Sequence, residues 1–408
     1  MKNFSRPDIV RQILHVTLGC ALALLFYAGG SAQAANQYPS YNARPLPADI
    51  SGMRDDAAHV AARMRLGWNV GNTMEAVGGE TGWGNPLVSN SLIQLVKKNG
   101  FNAIRLPVAW NQYADQETGK ISDTWLARVR QVVQYCVDND MYVLVNIHWD
   151  GGWLQENFTA DKQAAVNARQ KAYWEQIATL LRDYDSHVLF ASANEPDVKN
   201  ATQMAILMSY HQTFVDTVRS TGGRNAYRVL VVQGPGTDIE ATNTLMKAMP
   251  NDKVAGRLMA EVHFYSPFNF ALMTKDESWG KPNYYWGAAY HSATDTAHNP
   301  TSGDEAMVDD LFGRMKKQFV DKGVPVLLGE FGAIRRSQLT GDNLKQHLAA
   351  RAYYHKYIVS AARRNGMIPF YWDTGNVGPN SFGLFDRKNN TVVDQQTINA
   401  MREGANGL

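Results

Sequence analysis

The chain has 408 residues, of which 45% are hydrophobic, so it is long enough for one large domain or two small ones with a sizeable core. Its 40 Lys and Arg residues only slightly exceed its 38 Asp and Glu residues, and residues 1–34 alone contain Lys2, Arg6 and Arg11 against Asp8. Without those residues the net charge is about zero, which gives no support to a nucleic-acid partner or to an anionic membrane surface.

Residues 1–34 have the pattern of a secretory signal peptide. Basic residues come first, the stretch from Ile13 to Ala28 is apolar, and Ala32-Gln33-Ala34 offers a small-residue cleavage site. We therefore expect cleavage after Ala34 and export, either to the periplasm or to the extracellular space. Cys20 follows Thr17-Leu18-Gly19, which is a poor lipoprotein site, so lipidation is the less favoured alternative. No later stretch offers the roughly 18 apolar residues that a membrane span needs.

Residues 35–50 contain proline and tyrosine without periodicity, and we expect them to form a loose leader arm. Helical patterns and apolar, strand-like runs then alternate. The strand-like runs are Arg65–Val70, Ala103–Val108, Tyr142–Ile147, Val188–Ala193, Arg228–Val232, Leu258–Val262, Val326–Gly329 and Met367–Tyr371. The helical patterns are Ser51–Met64, Ser91–Asn99, Asp123–Asn139, Lys162–Tyr184, Ala201–Ser220, Asn243–Ala248, Asp304–Lys322, Leu344–Arg364 and Gln395–Arg402. Near-continuous apolar strands that alternate with helices indicate a parallel sheet covered on its outside.

We expect residues 51–408 to form a single α/β domain, an eight-stranded (β/α)8 or TIM barrel. A doubly wound open sheet is the alternative, but GWNVGN at the first strand lacks the glycine spacing of a dinucleotide-binding turn. Two connections are long, Phe264–Ser302 after strand six and Trp372–Asp386 after strand eight. Long loops in compact domains are often functional, and both follow the carboxyl ends of strands, where barrel enzymes carry their active sites.

Residues capable of chemistry or ligand contact follow most of these strands. They are Arg105, His148, Asn194, Glu195, His263, Tyr265, Glu330 and Trp372. Pro196 cannot donate to a sheet and disfavours a helical conformation at Glu195, so the fourth strand has to end there. Glu330 ends another apolar run, VPVLLGE. Glutamates at strands four and seven of one barrel point into the same bowl from opposite sides, and glycoside cleavage requires such a pair of carboxylates.

Several of these residues also have a structural interpretation. Arg105 could be a buried ion-pair partner, and His148 could be a core histidine or a metal ligand. Metal catalysis is not favoured, because the first strand has no His-x-His and no second His lies at a fitting spacing. A serine nucleophile is not favoured either, because the chain has no G-x-S-x-G elbow.

Seven motifs occur in a fixed order between about Met64 and Asp386. They are GWNVGNTMEA (Gly67–Ala76), NAIRLPVAW (Asn102–Trp110), VNIHWDGGW (Val145–Trp153), ASANEPD (Ala191–Asp197), EVHFYSPF (Glu261–Phe268), LLGEFGA (Leu327–Ala333) and FYWDTGN (Phe370–Asn376). Together they resemble glycoside hydrolase family 5, in particular its cellulases. The resemblance implies an endo-glycosidase that cleaves β-1,4-glucan with retention of configuration and needs no cofactor or metal ion.

The resemblance also implies a role for each member of the catalytic pair. Glu195 would be the general acid/base and Glu330 the nucleophile. Arg105 would stabilise the charged nucleophile, and Tyr265 would donate a hydrogen bond to it. Because the acid has to hold a proton near neutral pH, we expect Glu195 to be the drier of the two glutamates.

The remaining residues would bind substrate. The resemblance implies that Asn194 holds the sugar 2-hydroxyl at the cleavage point and that Trp372 forms the platform under the cleaved sugar. His148 and His263 would bind substrate and tune the two glutamates. We expect a monomer whose partner is a β-glucan, with no nucleic acid and no membrane contact after signal cleavage.

Two features depart from the family pattern or leave alternatives open. Trp149 stands where many relatives have a second histidine. In the loop Phe268–Pro300, four aromatic residues either line leaving-group subsites or pack the loop down; they are Trp279, Tyr284, Tyr285 and Trp286. Alternative substrates are xyloglucan, lichenan, mannan and xylan, and alternatives from other classes are a non-catalytic carbohydrate-binding barrel and a metal-dependent hydrolase.

Overall fold

The computed structural model describes residues 38–407, so the predicted signal peptide lies outside the described residues. Eight parallel strands form a closed barrel in the order β8-β1-β2-β3-β4-β5-β6-β7. Their bounds are Gly67–Val70 (β1), Ala103–Leu106 (β2), Tyr142–Asn146 (β3), Val188–Ala191 (β4), Leu230–Gln233 (β5), Leu258–Phe264 (β6), Val326–Phe331 (β7) and Met367–Asp373 (β8). This confirms the predicted (β/α)8 barrel and rules out the open sheet.

Helices follow the strands and cover the outside of the barrel. Their bounds are Ala57–Arg63 (α1), Asn90–Lys98 (α2), Asp123–Asp138 (α3), Ala160–Leu180 (α4), Ala201–Ser220 (α5), Ile239–Leu245 (α6), Phe268–Ala271 (α7), Glu305–Gln318 (α8), Gly341–Arg364 (α9) and Gln395–Asn406 (α10). Side chains that accept from the first turn fix several of these starts, as Ser89 does for α2 and Asn200 for α5. None of the helices within residues 38–407 is long and apolar enough to cross a bilayer.

Alternation along the strands divides the core into two parts. Side chains such as Leu144, Leu189 and Met259 form a cluster that fills the inside of the barrel. Their neighbours along the strands, such as Val143 and Phe190, join a larger cluster between the strands and the helices. Because successive strand residues face opposite sides, any polar residue in register with the inner cluster must point into the barrel.

The leader arm is fastened to the barrel over its described residues, so the expectation that it is loose is wrong there. Leu46–Ala48 pairs in parallel with Gly222–Gly223 after α5. The backbone N–H groups of Tyr41 and Asn42 donate to the Glu175 carboxylate at 2.5 and 3.2 Å. Glu175 lies in α4 and is buried, so its carboxylate needs these donors to offset the loss of water.

The long loop after β6 divides its aromatic residues between core and surface. Tyr285 and Trp286 are fully buried, and the Trp286 indole donates to the Gly303 carbonyl at 2.8 Å. Tyr284 stacks on His298 with ring centroids 3.8 Å apart. Trp279 is exposed and lies against Phe268. Three of the four aromatic residues therefore pack the loop, and Trp279 remains available at the surface.

Candidate active site

The eight side chains singled out in the sequence all lie at the carboxyl-terminal face of the barrel. Arg105 joins three of the strands. Its Nη1 atom lies 2.8 Å from Oε1 of Glu330, and its Nη2 atom donates to the Asn194 amide oxygen at 2.8 Å. The Tyr265 hydroxyl donates to the other Glu330 oxygen at 2.9 Å. One carboxylate therefore receives two donors, one from β2 and one from the residue that follows β6.

A β-bulge turns Glu330 into the bowl. Along β7, Val262 of β6 pairs with Leu328 and His263 pairs with Glu330, so Gly329 is an extra residue in the ladder. A side chain at position 329 could not fit, because its Cβ would lie 2.0 Å from Oε1 of Glu261. The glycine before Glu330 therefore permits both the bulge and the close approach of a buried carboxylate.

Glu261 belongs to this cluster, although it is not among the site residues predicted from the sequence. It lies 2.8 Å from Nε of Arg105 and 3.2 Å from Nε2 of His263, and it accepts from the Gln233 amide. Residues 259, 261 and 263 alternate with apolar residues along β6, so Glu261 shares the inward face with His263. An acidic residue at an inward position of an otherwise apolar strand is the signal that could have identified it.

His263 connects Glu261 to Glu195. Its Nδ1 atom lies 2.8 Å from Oε1 of Glu195 and 3.7 Å from Oε2 of Glu330. Burial alone would lower the pKa of His263, but the carboxylates of Glu330, Glu195 and Glu261 outweigh burial and raise that pKa to about 9. At neutral pH the ring is therefore an imidazolium that donates from both nitrogens.

The structure corrects the expectation that Glu195 is the drier glutamate. The Glu195 side chain is 40% exposed, whereas that of Glu330 is 7% exposed. The reason is local: β4 ends at Ala191 and Glu195 follows in the loop, whereas Glu330 still lies within β7. Burial raises the pKa of Glu330, and the charges of His263 and Arg105 oppose that rise.

Charge balance gives the glutamate pair its chemistry. Arg105 and His263 supply two positive charges, and Glu261 supplies one negative charge because Arg105 and His263 outweigh its burial and lower its pKa. One further negative charge makes the site neutral, so Glu195 and Glu330 together favour one ionised carboxylate and one proton. Such a pair can deliver a proton and a nucleophile in the same step.

The floor of the site is made by two parallel rings. His148 and Trp372 are stacked, with centroids 5.7 Å apart and planes at 4°. Burial and the positive charges of Arg105 and His263 lower the pKa of His148 well below its usual value, so its ring is neutral. Gly71 lies against the indole, and a Cβ at that position would be 2.9 Å from Trp372 Cζ2.

Glu195, His263 and Glu330 could also hold a metal ion by geometry, since one ligand atom from each lies within 4.8 Å of the others. The same carboxylates face the Arg105 guanidinium and the charge of His263. A cation there would have to enter beside two positive charges, which opposes its binding.

Comparison with known proteins identifies the family to which the chain belongs. The family described as Cellulase (glycosyl hydrolase family 5) matches residues 69–378. The xyloglucan-specific endo-beta-1,4-glucanase BoGH5A of Bacteroides ovatus is 38% identical over 392 residues, which is 92% of this chain and 75% of that protein. Endoglucanase A of Paenibacillus barcinonensis is 35% identical over 94% of this chain and 96% of its own length.

Solved structures agree in fold. A Bacteroides ovatus GH5 xyloglucanase in complex with a XXXG heptasaccharide superposes with a TM-score of 0.83 at 35% identity, covering 91% of this chain and 81% of that chain. XEG5B, a GH5 xyloglucan-specific beta-1,4-glucanase from a ruminal metagenomic library, superposes with a TM-score of 0.80 at 36% identity. The match covers 86% of this chain and 96% of that chain. The chain belongs to glycoside hydrolase family 5, a family of retaining glycoside hydrolases, and is an endo-β-1,4-glucanase-like enzyme.

Proposed function

We propose that this enzyme cleaves the β-1,4-glucan backbone of xyloglucan within the chain, with Glu330 as nucleophile and Glu195 as general acid/base. The observation that carries the assignment of roles is the difference between the two carboxylates. Glu330 is buried and receives donors from Arg105 and Tyr265, whereas Glu195 is more exposed and receives a donor from His263. The two donors hold a Glu330 oxygen in place for attack, whereas the more exposed Glu195 can exchange a proton with water between the two steps of the reaction.

In the first step a Glu330 oxygen attacks the anomeric carbon of the sugar that lies over Trp372. The bond from that carbon to the leaving oxygen breaks, and Glu195 transfers its proton to this oxygen. In the second step Glu195 takes a proton from water as the water oxygen attacks the same carbon, which frees Glu330 and restores the proton on Glu195. Two displacements at one carbon retain its configuration.

The other residues orient the side chains and balance the charges around the two glutamates. Asn194 is oriented by the Arg105 guanidinium at 2.8 Å, so its amide can be presented to the 2-hydroxyl of the sugar. Tyr265 stays a neutral donor, because burial and the charge of Glu330 raise its pKa well above the usual value. Glu261 neutralises part of the charge of Arg105 and His263 and fixes both side chains below the glutamates.

The choice of xyloglucan is supported by similarity. The relative with 38% identity is named for xyloglucan, and so are three solved structures at 35–36% identity. Unbranched β-1,4-glucan is the second candidate, since broad-specificity endoglucanases match at 28–32% identity.

A panel of polysaccharides tests the substrate, with reducing-sugar release and sizing of the products as the readout. We expect the highest kcat/KM on xyloglucan, lower values on carboxymethyl cellulose and mixed-linkage glucan, and little release from mannan or xylan. Glu330→Ala and Glu195→Ala are the controls for contaminating activity. A preference for mannan or xylan would contradict the proposed substrate, and full activity of Glu330→Ala would contradict the proposed site.

We also infer that the enzyme is exported and acts as a monomer on polysaccharide outside the cytoplasm. The support is the signal-peptide pattern of residues 1–34 and the nearly neutral remainder of the chain. The mass and the N-terminus of the protein recovered from cell fractions test export, and light scattering tests the monomer. A protein that keeps residues 1–34 and stays in the cytoplasm would contradict export.

A further inference from the structure

The exposed and partly exposed tryptophans of this enzyme all lie on one face. Of ten tryptophans in the sequence, those outside the core are Trp83, Trp149, Trp279 and Trp372. Trp83 lies between β1 and α2, Trp149 between β3 and α4, Trp279 between β6 and α8, and Trp372 in β8. All four therefore lie at the carboxyl ends of barrel strands. Exposure of an indole ring to water is unfavourable, and contact with a ligand removes that cost. The apolar faces of sugar rings can stack on such an indole.

Trp149 is mounted on an unusual turn. The three residues that follow it, Asp150, Gly151 and Gly152, have φ angles of 50°, 77° and 73°. A left-handed conformation at a residue with a side chain costs about 1 kcal/mol or more and persists only where its surroundings enforce it. Here the buried Asp150 carboxylate accepts from the Asn111 backbone N–H at 2.8 Å and from the Trp153 indole at 3.0 Å.

The indole of Trp149 is itself held at its polar edge. Its Nε1 atom donates to Oε1 of Glu156 at 3.1 Å, while the side chain is still exposed, at 38% for the residue. The Glu156 carboxylate lies over Gly152, where an added Cβ would be 2.8 Å from Cδ of Glu156. The turn, the glycine and the acceptor thus fix the ring without burying it.

The same segment is joined to the general acid. The backbone N–H of Glu195 donates to Oε1 of Gln155 at 3.1 Å, and that of Asp197 donates to the Gln155 carbonyl at 2.8 Å. In addition, β3 is the neighbour of β4, which leads to Glu195. The loop that contains Trp149 is therefore held in place by hydrogen bonds from the backbone around Glu195.

Topology gives the direction of the glucan chain. In the closed barrel β4 lies opposite β8, four strands away in either direction. The acid protonates the oxygen of the leaving sugar, so this sugar lies on the Glu195 side of the cleavage point. The sugar that becomes bonded to the nucleophile lies over Trp372 on β8. Trp149 is thus on the side of the leaving group.

We propose that Trp149 is the platform for the leaving-group sugar next to the cleavage point, and that the turn Asp150–Gly152 positions it. This inference rests on the proposed function. In the free enzyme the fixed, exposed indole offers a flat apolar surface on the segment that contacts the backbone of the acid through Gln155. In the complex it covers the apolar face of the sugar that departs, and of the acceptor sugar when the reaction runs in reverse.

Two substrates with the same glycone test the platform. Cellohexaose has a sugar leaving group, whereas β-cellotriosyl fluoride has a leaving group without a ring. Loss of one stacking surface in Trp149→Ala should lower the ratio of kcat/KM for cellohexaose to kcat/KM for the fluoride by roughly five- to thirtyfold. Trp149→Phe, which keeps an aromatic face, should keep most of the ratio. Transfer from the fluoride to added cellobiose should fall in parallel with the ratio in Trp149→Ala.

Trp83→Ala is the matched control, because it removes an exposed indole from the β1 loop, away from the acid. It should leave the ratio within about twofold of wild type, as expected for an indole that does not meet the leaving sugar. An equal loss on both substrates in Trp149→Ala, or an unchanged ratio, would overturn the platform. A wild-type enzyme that hydrolyses neither of these substrates nor xyloglucan would instead overturn the proposed function, and the inference with it.

Discussion

Arg105 and Glu261 form a buried ion pair, with Nε and Oε1 2.8 Å apart and both side chains fully excluded from solvent. The pair lies beneath the two glutamates, and Arg105 is also bonded to Glu330. A guanidinium in this position is costly to bury unless carboxylates surround it. Glu261 therefore makes it possible for Arg105 to stand beside Glu330, although Glu261 itself touches neither Glu195 nor the Trp372 platform among the contacts described.

Glu261→Gln should remove one negative charge below the site. The pKa of His263, now about 9, should fall because one of the carboxylates that raise it is gone. The alkaline limb of the pH profile of kcat/KM should then move to lower pH. In addition, kcat/KM should drop roughly a hundredfold, because Arg105 loses a partner and moves away from its position beside Glu330. A pH–rate profile measures both changes. Glu403→Gln, at an exposed ion pair with Lys356, is the control and should keep the wild-type profile; an unmoved alkaline limb in Glu261→Gln would contradict the role of Glu261.

Folding stability should depend on pH through His263. Its folded-state pKa of about 9 lies above the usual 6.5, so its contribution is fully present below pH 6.5 and is lost as pH rises through 9. The contribution is roughly 3 kcal/mol from a shift of this size. Urea unfolding of wild type and His263→Gln at pH 6 and pH 9.5 should show a larger difference between the two proteins at pH 6. An equal difference at both pH values would show that His263 is not charged in the folded protein.

Gly71→Ala should displace the Trp372 platform. The added Cβ would meet the Asp373 carbonyl at 2.6 Å and the Trp372 ring at 2.9 Å, and the backbone atom cannot move aside cheaply. We expect a loss of about 1–3 kcal/mol in stability and a drop in kcat/KM. Gly313→Ala is the control, since it lies within α8 with no atom near its Cβ and should be neutral or stabilising by about 1 kcal/mol. Thermal unfolding and glucan hydrolysis compare the two, and matching results would rule out the steric explanation.

Chelation should leave the activity unchanged. Arg105 and the charged His263 already pair with the carboxylates that a metal ion would need as ligands. Hydrolysis rates before and after dialysis against EDTA test this expectation. Loss of activity that added divalent cation restores would instead favour a metal site at Glu195, His263 and Glu330.

The barrel strands, and the site residues at their carboxyl ends, could be predicted from the sequence because each carries a local signal. Apolar runs bounded by glycine and basic residues define β1 to β8, and a carboxylate or ring at the end of such a run has to point into the bowl. Glu195 and Glu330 are predicted as site residues in this way. Glu261 is not, because it lies inside an apolar run and not at its end, and only its alternation with His263 along β6 indicates that it points into the barrel.

The relative exposure of the two glutamates could not be predicted either. It depends on where each strand stops: β4 ends before Asn194-Glu195, while β7 continues through Glu330. The attachment of the leader arm could not be predicted, because its partner Glu175 lies more than 130 residues away in α4. Contacts between distant segments leave no periodicity in the sequence.

The most direct measurement is covalent trapping of the glycosyl-enzyme. A 2-deoxy-2-fluoro glucan oligosaccharide with a reactive leaving group should inactivate the enzyme, and peptide mass spectrometry should find the sugar on Glu330. Glu330→Ala should not be labelled, and a cooperative unfolding transition of this variant will show that its fold is intact. Label on Glu195 or on another residue, or inactivation of Glu330→Ala, would contradict the assignment of the two glutamates.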